Sequence, residues 1–367
     1  MKLEHILKSI CFSYFFSWAI FLNFFLIIAK QGGLDSELAQ NVSVASFFAR
    51  TFGLLFFYPI LIDKLGTKGA GLTLTFVSLL SCVALLFSIN NPKILITSLI
   101  ILATFLPIGL PITETVFNTA KLNPGSYENI RIYGSIGFIV SLIVASFSYN
   151  QFYVLVGAII LSMVVCFFSF TSSSIKNMRH KVSLKGFPLK ELYIFFIIFL
   201  IQGAHAGFYV FGAVHFLNLG YSSIMISLIF IVGIIAEILI FKFLSGKQNI
   251  EYKPLLLVAI IASIVRWGVM VQFYDYYAIF SSAILHGATF GLTHISFIRF
   301  IKRNNNDGAF ISSAFLIYGA FIMSLSLGFV AYLINTFYTD SYFTIPLNIS
   351  IIALVLLALN KYLKLSN

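Results

Sequence analysis

Residues Ile231 to Lys242 read IVGIIAEILIFK, an apolar run with a single carboxylate, Glu237, near its middle. Such a run belongs out of water. A charge at the centre of a membrane helix costs roughly 2.5–3.5 kcal/mol on insertion scales, so it persists where it has a partner or a task. The rest of the chain agrees with a membrane setting. Of its 367 residues, 60% are hydrophobic and only 10% are charged, and a soluble fold of this length could not cover that much apolar surface. The net charge of +11 would suggest nucleic acid in a soluble domain. In a membrane protein it reflects basic loops on one face, and no nucleic-acid partner is expected. Cys11, Cys82 and Cys166 lie far apart inside apolar segments, without metal-ligand spacing, and read as small core hydrophobes. The N-terminal MKLEHILK leads into a long apolar run without a small-residue cleavage site, which reads as a first transmembrane helix rather than a removed signal peptide.

A span needs about 20 apolar residues. Twelve candidates lie near 6–29, 38–62, 70–89, 93–118, 130–149, 151–171, 190–217, 222–244, 253–272, 275–301, 309–336 and 341–363. With the N-terminus inside, the outer loops hold only Lys30 and Lys93, and Arg50 and Arg266 fall within spans. All other Lys and Arg then lie on the inner side, which predicts twelve spans with cytoplasmic termini; the expected location is a bacterial plasma (inner) membrane. The longest loop, Thr171 to Leu189, is basic and central, and it separates six spans from six. The expected fold is therefore all-α, with an N-terminal bundle over 1–171, a cytoplasmic loop over 172–189 and a C-terminal bundle over 190–367. A faint repeat supports duplication: Ile132-Tyr133-Gly134 with Ser141-Leu142 recurs as Ile317-Tyr318-Gly319 with Ser326-Leu327 at one constant offset.

Ionisable residues within spans point to function. They are Arg50, Glu114, Arg131 at the start of span five, Glu237, Arg266, and histidines 205, 215, 286 and 294. Gln202, His205 and Tyr209 share one helix face, as do His286, Thr289 and Thr293. The three arginines outweigh the two glutamates by one positive charge, which suits an anionic solute held by Arg50 or Arg131, with Tyr14, Trp18 and Tyr209 as aromatic surface. No histidine comes with a nucleophile or metal-ligand partner at useful spacing, so an enzyme is not expected, and neither a metal nor a cofactor.

The turn Pro59-Ile-Leu-Ile-Asp63-Lys64-Leu65-Gly66-Thr67-Lys68 resembles the G-x-x-x-D-[RK]-x-G-[RK]-[RK] signature of the major facilitator superfamily. Pro59 replaces the first glycine and Thr67 the first of the paired basic residues. Asp63, Lys64 and Gly66 would form a gating loop, with Asp63 accepting from a facing helix N-terminus or basic residue. Nearly end to end, the chain also resembles that superfamily's phenylpropionate permease group and, more distantly, lactose permease and the oligosaccharide–proton symporters. The likeness is densest in Tyr14-Phe15-Phe16-Ser17 with Ile20-Phe21-Leu22, in Ala49-Arg50, and in Arg131-Ile-Tyr-Gly-Ser135. It continues in Gln202-Gly203-Ala204-His205-Ala206, Ala236-Glu237, Val265-Arg266-Trp267-Gly268 and Ile284-Leu285-His286.

The resemblance implies a twelve-helix secondary transporter, taking up a small organic solute with a proton by alternating access, as a monomer in the lipid bilayer. It implies that Glu114 and Arg131 pair at the substrate, and that Glu237, Arg266 and His286 couple binding to proton movement. Where lactose permease carries its proton-bearing glutamate, this chain has Thr289. Glu237 or a histidine would then have to carry the proton. The expected solute is an aromatic carboxylate; a sugar or nucleoside symporter and an exporter of drug- or siderophore-like compounds are the alternatives.

Overall fold

The computed structural model describes residues 3–119, 126–148, 151–179, 181–182, 192–245, 247, 250–304, 308–337 and 341–363. Among them the chain is all helix, with no strand. The helices are α1 (Leu3–Gln31), α2 (Ser36–Phe52), α3 (Tyr58–Leu86), α4 (Pro92–Phe105), α5 (Gly109–Thr119), α6 (Ser126–Ser148) and α7 (Phe152–Thr171), followed by α8 (Leu192–Gly203), α9 (Gly212–Asn218), α10 (Ser223–Ser245), α11 (Tyr252–Gln272), α12 (Tyr276–Ala283), α13 (Thr293–Asn304), α14 (Gly308–Ile317), α15 (Ser326–Thr336) and α16 (Thr344–Leu363). Wide π-helical turns at Gly53–Phe57, Gly207–Phe211, Gly287–Leu292 and Tyr318–Leu325 join α2 to α3, α8 to α9, α12 to α13 and α14 to α15.

Ten helical stretches among the described residues are long and apolar enough to cross a membrane, against twelve expected. The difference lies in two places. Ser36–Leu86 runs as one 51-residue rod, and the apolar part of the last helix, Thr344–Leu359, is short. The rod is nevertheless broken at Gly66, where φ is 73° and ψ −179°. The end of the central loop and the residues that follow it, 183–191, lie outside the described residues, as do 120–125 and the last four residues.

Local chemistry explains where helices start. Asp35, Asn91 and Asp275 accept from the backbone N–H three residues on, at 2.8, 3.3 and 2.9 Å, capping α2, α4 and α12. Large apolar side chains face outward at helical spacing, such as Phe76, Leu80 and Val83 on α3 and Leu161, Val165 and Phe168 on α7. That pattern suits lipid, since apolar residues on an outer face gain nothing in water. In contrast, α1 and the stretch Leu192–Asn218 are buried over most of their length.

The chain divides into two compact units, Met1–Ser183 with Phe315–Ala320, and Leu184–Ala314 with Phe321–Asn367. In the first, α1 packs against α6 and α7, and α3 against α4 and α7. In the second, α11 packs against α16, α8 against α15 and α16, and α10 against the Gly287–Leu292 turn.

The 63–68 turn is held differently from expectation. Asp63 and Lys64 are exposed, and Asp63 makes no hydrogen bond or ion pair among the described residues. The holding falls to residues beyond α7. Asn177 accepts from the Lys68 N–H and donates to the Leu65 carbonyl, both at 3.0 Å. Thr67 N–H donates to Met178 O at 2.8 Å, and Lys68 Nζ to Ser172 O at 2.9 Å. Gly66 is required twice. Its backbone conformation is one that side chains rarely tolerate, and a Cβ there would lie 2.3 Å from Asn177 Oδ1. Gly66→Ala should cost ~1–3 kcal/mol and expel Asn177. The expected result is a lower melting temperature with faster tryptic cleavage at Arg179 and Lys181, reproduced by Asn177→Ala; unchanged cleavage would show that the clamp does not hold this segment.

Candidate functional site

In the first unit, small residues bring the polar helices together. Ser17 bonds Ser162, and Ser9 lies 2.9 Å from Ser169, tying α1 to α7. On α6, a Cβ at Gly137 would stand 2.4 Å from the Phe12 carbonyl, so α1 and α6 touch backbone to side-chain-free backbone. This fixes Tyr14 and Trp18 on α1, their rings stacked at 6.3 Å. Gly109, at the start of α5, admits the Tyr14 ring, which a Cβ would meet at 2.2 Å.

Arg50, in the last turn of α2, is fully buried. Its guanidinium lies 4.0 Å from the Phe47 ring centroid and 5.2 Å from those of Trp18 and Phe21. None of its three side-chain nitrogens meets a hydrogen-bond acceptor among the described residues. Each ring contact contributes about 0.5–2 kcal/mol, which offsets part of the desolvation of the charge without satisfying its donors. Arg131 is different. Its Nη1 lies 3.3 Å from Glu114 Oε1, and its guanidinium sits 4.7 Å from the Phe15 ring. Of the two arginines the sequence leaves open for an anion, Arg131 faces an acid and Arg50 faces only rings.

In the second unit, the chain winds a continuous polar cluster around Thr289. Arg266, fully buried on α11, donates from Nη1 to His286 Nδ1 at 3.0 Å and to Thr289 Oγ1 at 3.1 Å. Arginine is only a donor, so Nδ1 of His286 accepts and its proton sits on Nε2. That Nε2 lies 3.2 Å from the Tyr209 hydroxyl and 3.8 Å from Glu237 Oε2. His205 Nδ1 lies 3.0 Å from Ile201 O and must donate to it, leaving Nε2 to accept from Thr289 Oγ1 at 3.0 Å. Gln202 is buried one turn before His205. The Arg266 guanidinium lies 4.5 Å from the rings of both Phe208 and Trp267.

The approach of α10 to His286 depends on glycines. A Cβ at Gly287 would stand 2.6 Å from Ala236 C and O and 2.9 Å from Glu237 N, and one at Gly233 would stand 3.0 Å from His286 Cβ. Gly287 and Gly291 have G-x-x-x-G spacing, but only Gly287 is met by backbone at close range. That spacing was visible in the sequence, as was the run of aromatics around Arg50; neither Phe47 nor Phe21 stood out there as a ligand-site residue. Thr289, which reads in sequence as one member of a polar face and as the replacement of an acid, is the junction of the cluster. Among the described residues no three His, Cys, Asp or Glu converge as metal ligands, and the three cysteines are free and buried.

A family model described as MFS_1 like matches residues 5–333. The chain belongs to this family, and is therefore a multi-pass membrane transporter of the major facilitator superfamily. It is 28% identical, over 304 residues, to the probable 3-phenylpropionic acid transporter of Escherichia coli (strain K12), covering 79% of this chain and 80% of that one. Two crystal structures of the nucleoside transporter NupG, one of a point mutant, share the fold over the full length of both chains, each with a TM-score of 0.76, at 19% and 20% identity.

Proposed function

We propose that the chain takes up a small aromatic carboxylate together with a proton, by alternating access, as a twelve-span monomer in the bacterial inner membrane with both termini cytoplasmic. The observation that carries the anionic reading is Arg50, a fully buried guanidinium walled by Phe47, Trp18 and Phe21 and without a protein acceptor. A carboxylate supplies the paired acceptors that guanidinium lacks, and an aromatic body suits the ring-lined surroundings. The relative named for 3-phenylpropionic acid supports the same class. The count of twelve follows if the rod broken at Gly66 makes two crossings and α16 makes the last. The 63–68 turn is the gating loop of this scheme.

Glu237 is the proton carrier. With Arg266 donating into His286 Nδ1, a second proton on that imidazole would set two cationic N–H groups face to face. His286 therefore orients and relays, while Glu237, near its Nε2–H, can hold either a proton or a charge. In proteoliposomes, Glu237→Gln should abolish uptake driven by a pH gradient and leave solute counterflow intact; gradient-driven uptake by this variant at the parental rate would place the proton elsewhere.

The Glu114–Arg131 pair favours a second reading, a neutral hydroxyl-bearing solute such as a nucleoside, since the pair offers both acceptors and donors. Thermal shifts decide between them. Under the first reading 3-phenylpropionate stabilises the protein and 3-phenylpropanol does not; stabilisation by uridine and not by the acid would establish the second.

A further inference from the structure

Arg266 has an edge that the coupling role leaves unused. Its Nη1 is fully engaged, with one hydrogen for His286 and one for Thr289, so the guanidinium plane is fixed. Its Nε and Nη2 are buried and meet no acceptor among the described residues. These two nitrogens form the side-on fork of a guanidinium, two parallel N–H groups at the spacing of the oxygens of one carboxylate. The indole Nε1 of Trp267, on the ring 4.5 Å from the guanidinium, is likewise buried without an acceptor. Three acceptors of the cluster are already engaged. His286 Nδ1 and Thr289 Oγ1 take the Nη1 hydrogens, and His205 Nε2 takes the Thr289 hydroxyl. The side chains of Arg266 and Trp267 thus carry three buried donors without an acceptor among the described residues, beside the rings of Trp267 and Phe208, and an oxyanion on an apolar body is the ligand whose chemistry answers them.

We propose that the Nε/Nη2 edge of Arg266, with the Trp267 indole N–H, is a second carboxylate subsite, lying within the C-terminal unit and engaging the solute independently of Arg50. The proposal rests on the aromatic-carboxylate reading above. It gives Arg266 a direct contact with solute, so that a carboxylate arriving on one edge of the guanidinium is felt on the other by His286 and, through it, by Glu237.

The chain contains only two tryptophans, and each lies against one of the two buried arginines: Trp18 at 5.2 Å from Arg50 and Trp267 at 4.5 Å from Arg266. Full-length protein carrying Trp18→Phe thus reports by fluorescence from Trp267 alone, and Trp267→Phe protein from Trp18 alone. Titrated with 3-phenylpropionate, the Trp18→Phe protein should show a saturable change in emission that 3-phenylpropanol does not produce. Adding Arg266→Lys, which keeps the charge and removes the fork, should weaken that response about tenfold. A flat Trp267 signal beside a responding Trp18 signal would overturn the subsite and leave the function proposed above standing. Silence from both, with no thermal stabilisation by the acid, would overturn both. The subsite also falls if Arg266→Lys binds with parental affinity. It falls again if the Trp267 change follows pH without solute and disappears in Glu237→Gln, because the carboxylate at the fork would then be that of Glu237.

Discussion

Arg50→Met should make the empty protein more stable and the transporter inactive. The parental guanidinium is fully buried, touches the Phe47, Trp18 and Phe21 rings, and has no protein acceptor for any of its nitrogens. An uncompensated buried charge is costly, and an apolar side chain of similar length removes that cost while filling the same space. The melting temperature of the solute-free protein should rise by several degrees. Stabilisation by 3-phenylpropionate should vanish, and uptake should fall by about a hundredfold, the effect of losing a charge-assisted, two-point contact. A variant that is destabilised and still stabilised by the acid would show that Arg50 is a structural residue whose donors are satisfied in another way. Arg50→Lys separates charge from shape: it retains the cation but not the planar fork, so affinity should stay well below that of the parent.

The second large effect is expected from a glycine. In Gly287→Ala the new Cβ would meet backbone atoms of Ala236 and Glu237 at 2.6–2.9 Å, and backbone cannot step aside as a side-chain tip can. Helix α10 must withdraw from the Gly287–Leu292 turn, carrying Glu237 away from His286, from which it is separated by only 3.8 Å. Overpacking of this kind costs about 1–3 kcal/mol, and here it also opens the Glu237–His286 pair. Gradient-driven uptake should fall more than tenfold, with a lower melting temperature. Gly291→Ala is the matched control. Its Cβ would find Ile240, Phe241 and Glu237 side-chain atoms at 3.5–3.7 Å, ordinary contact distances, so activity should stay near parental. Equal damage from both substitutions would mean that the close approach at Gly287 is not what matters.

The sequence was most informative where physics acts through composition. Hydropathy and the placement of Lys and Arg were enough to define a membrane chain of many helices, and the resemblance to the superfamily pointed to its family. The need of a charge in hydrocarbon for a partner singled out Glu114 and Glu237, but the partners themselves, Arg131 and His286, were named only by the resemblance to lactose permease; the structure sets them 3.3 and 3.8 Å away. Two things were not readable. The ring box around Arg50 uses phenylalanines from a chain that holds 42, so no single one stands out. The 63–68 turn was expected to be held through Asp63, yet Asp63 is exposed and Asn177 does the holding, a contact across more than a hundred residues that no local pattern encodes.

The wide turns at Gly53, Gly207 and Gly287 each begin close to a buried polar group: three residues after Arg50, two after His205 and one after His286. A π turn holds one residue more than the α turn it replaces, and such turns recur where helices do work. Each surplus residue shifts every later side chain by about 100° around the helix axis, the angle one residue subtends at 3.6 per turn. The azimuth of a polar face is therefore written in the residue count of the turn beside it. For this protein, changing chain length by a single residue at those three places is a more drastic edit than most changes of side chain, because it re-aims the rest of the helix.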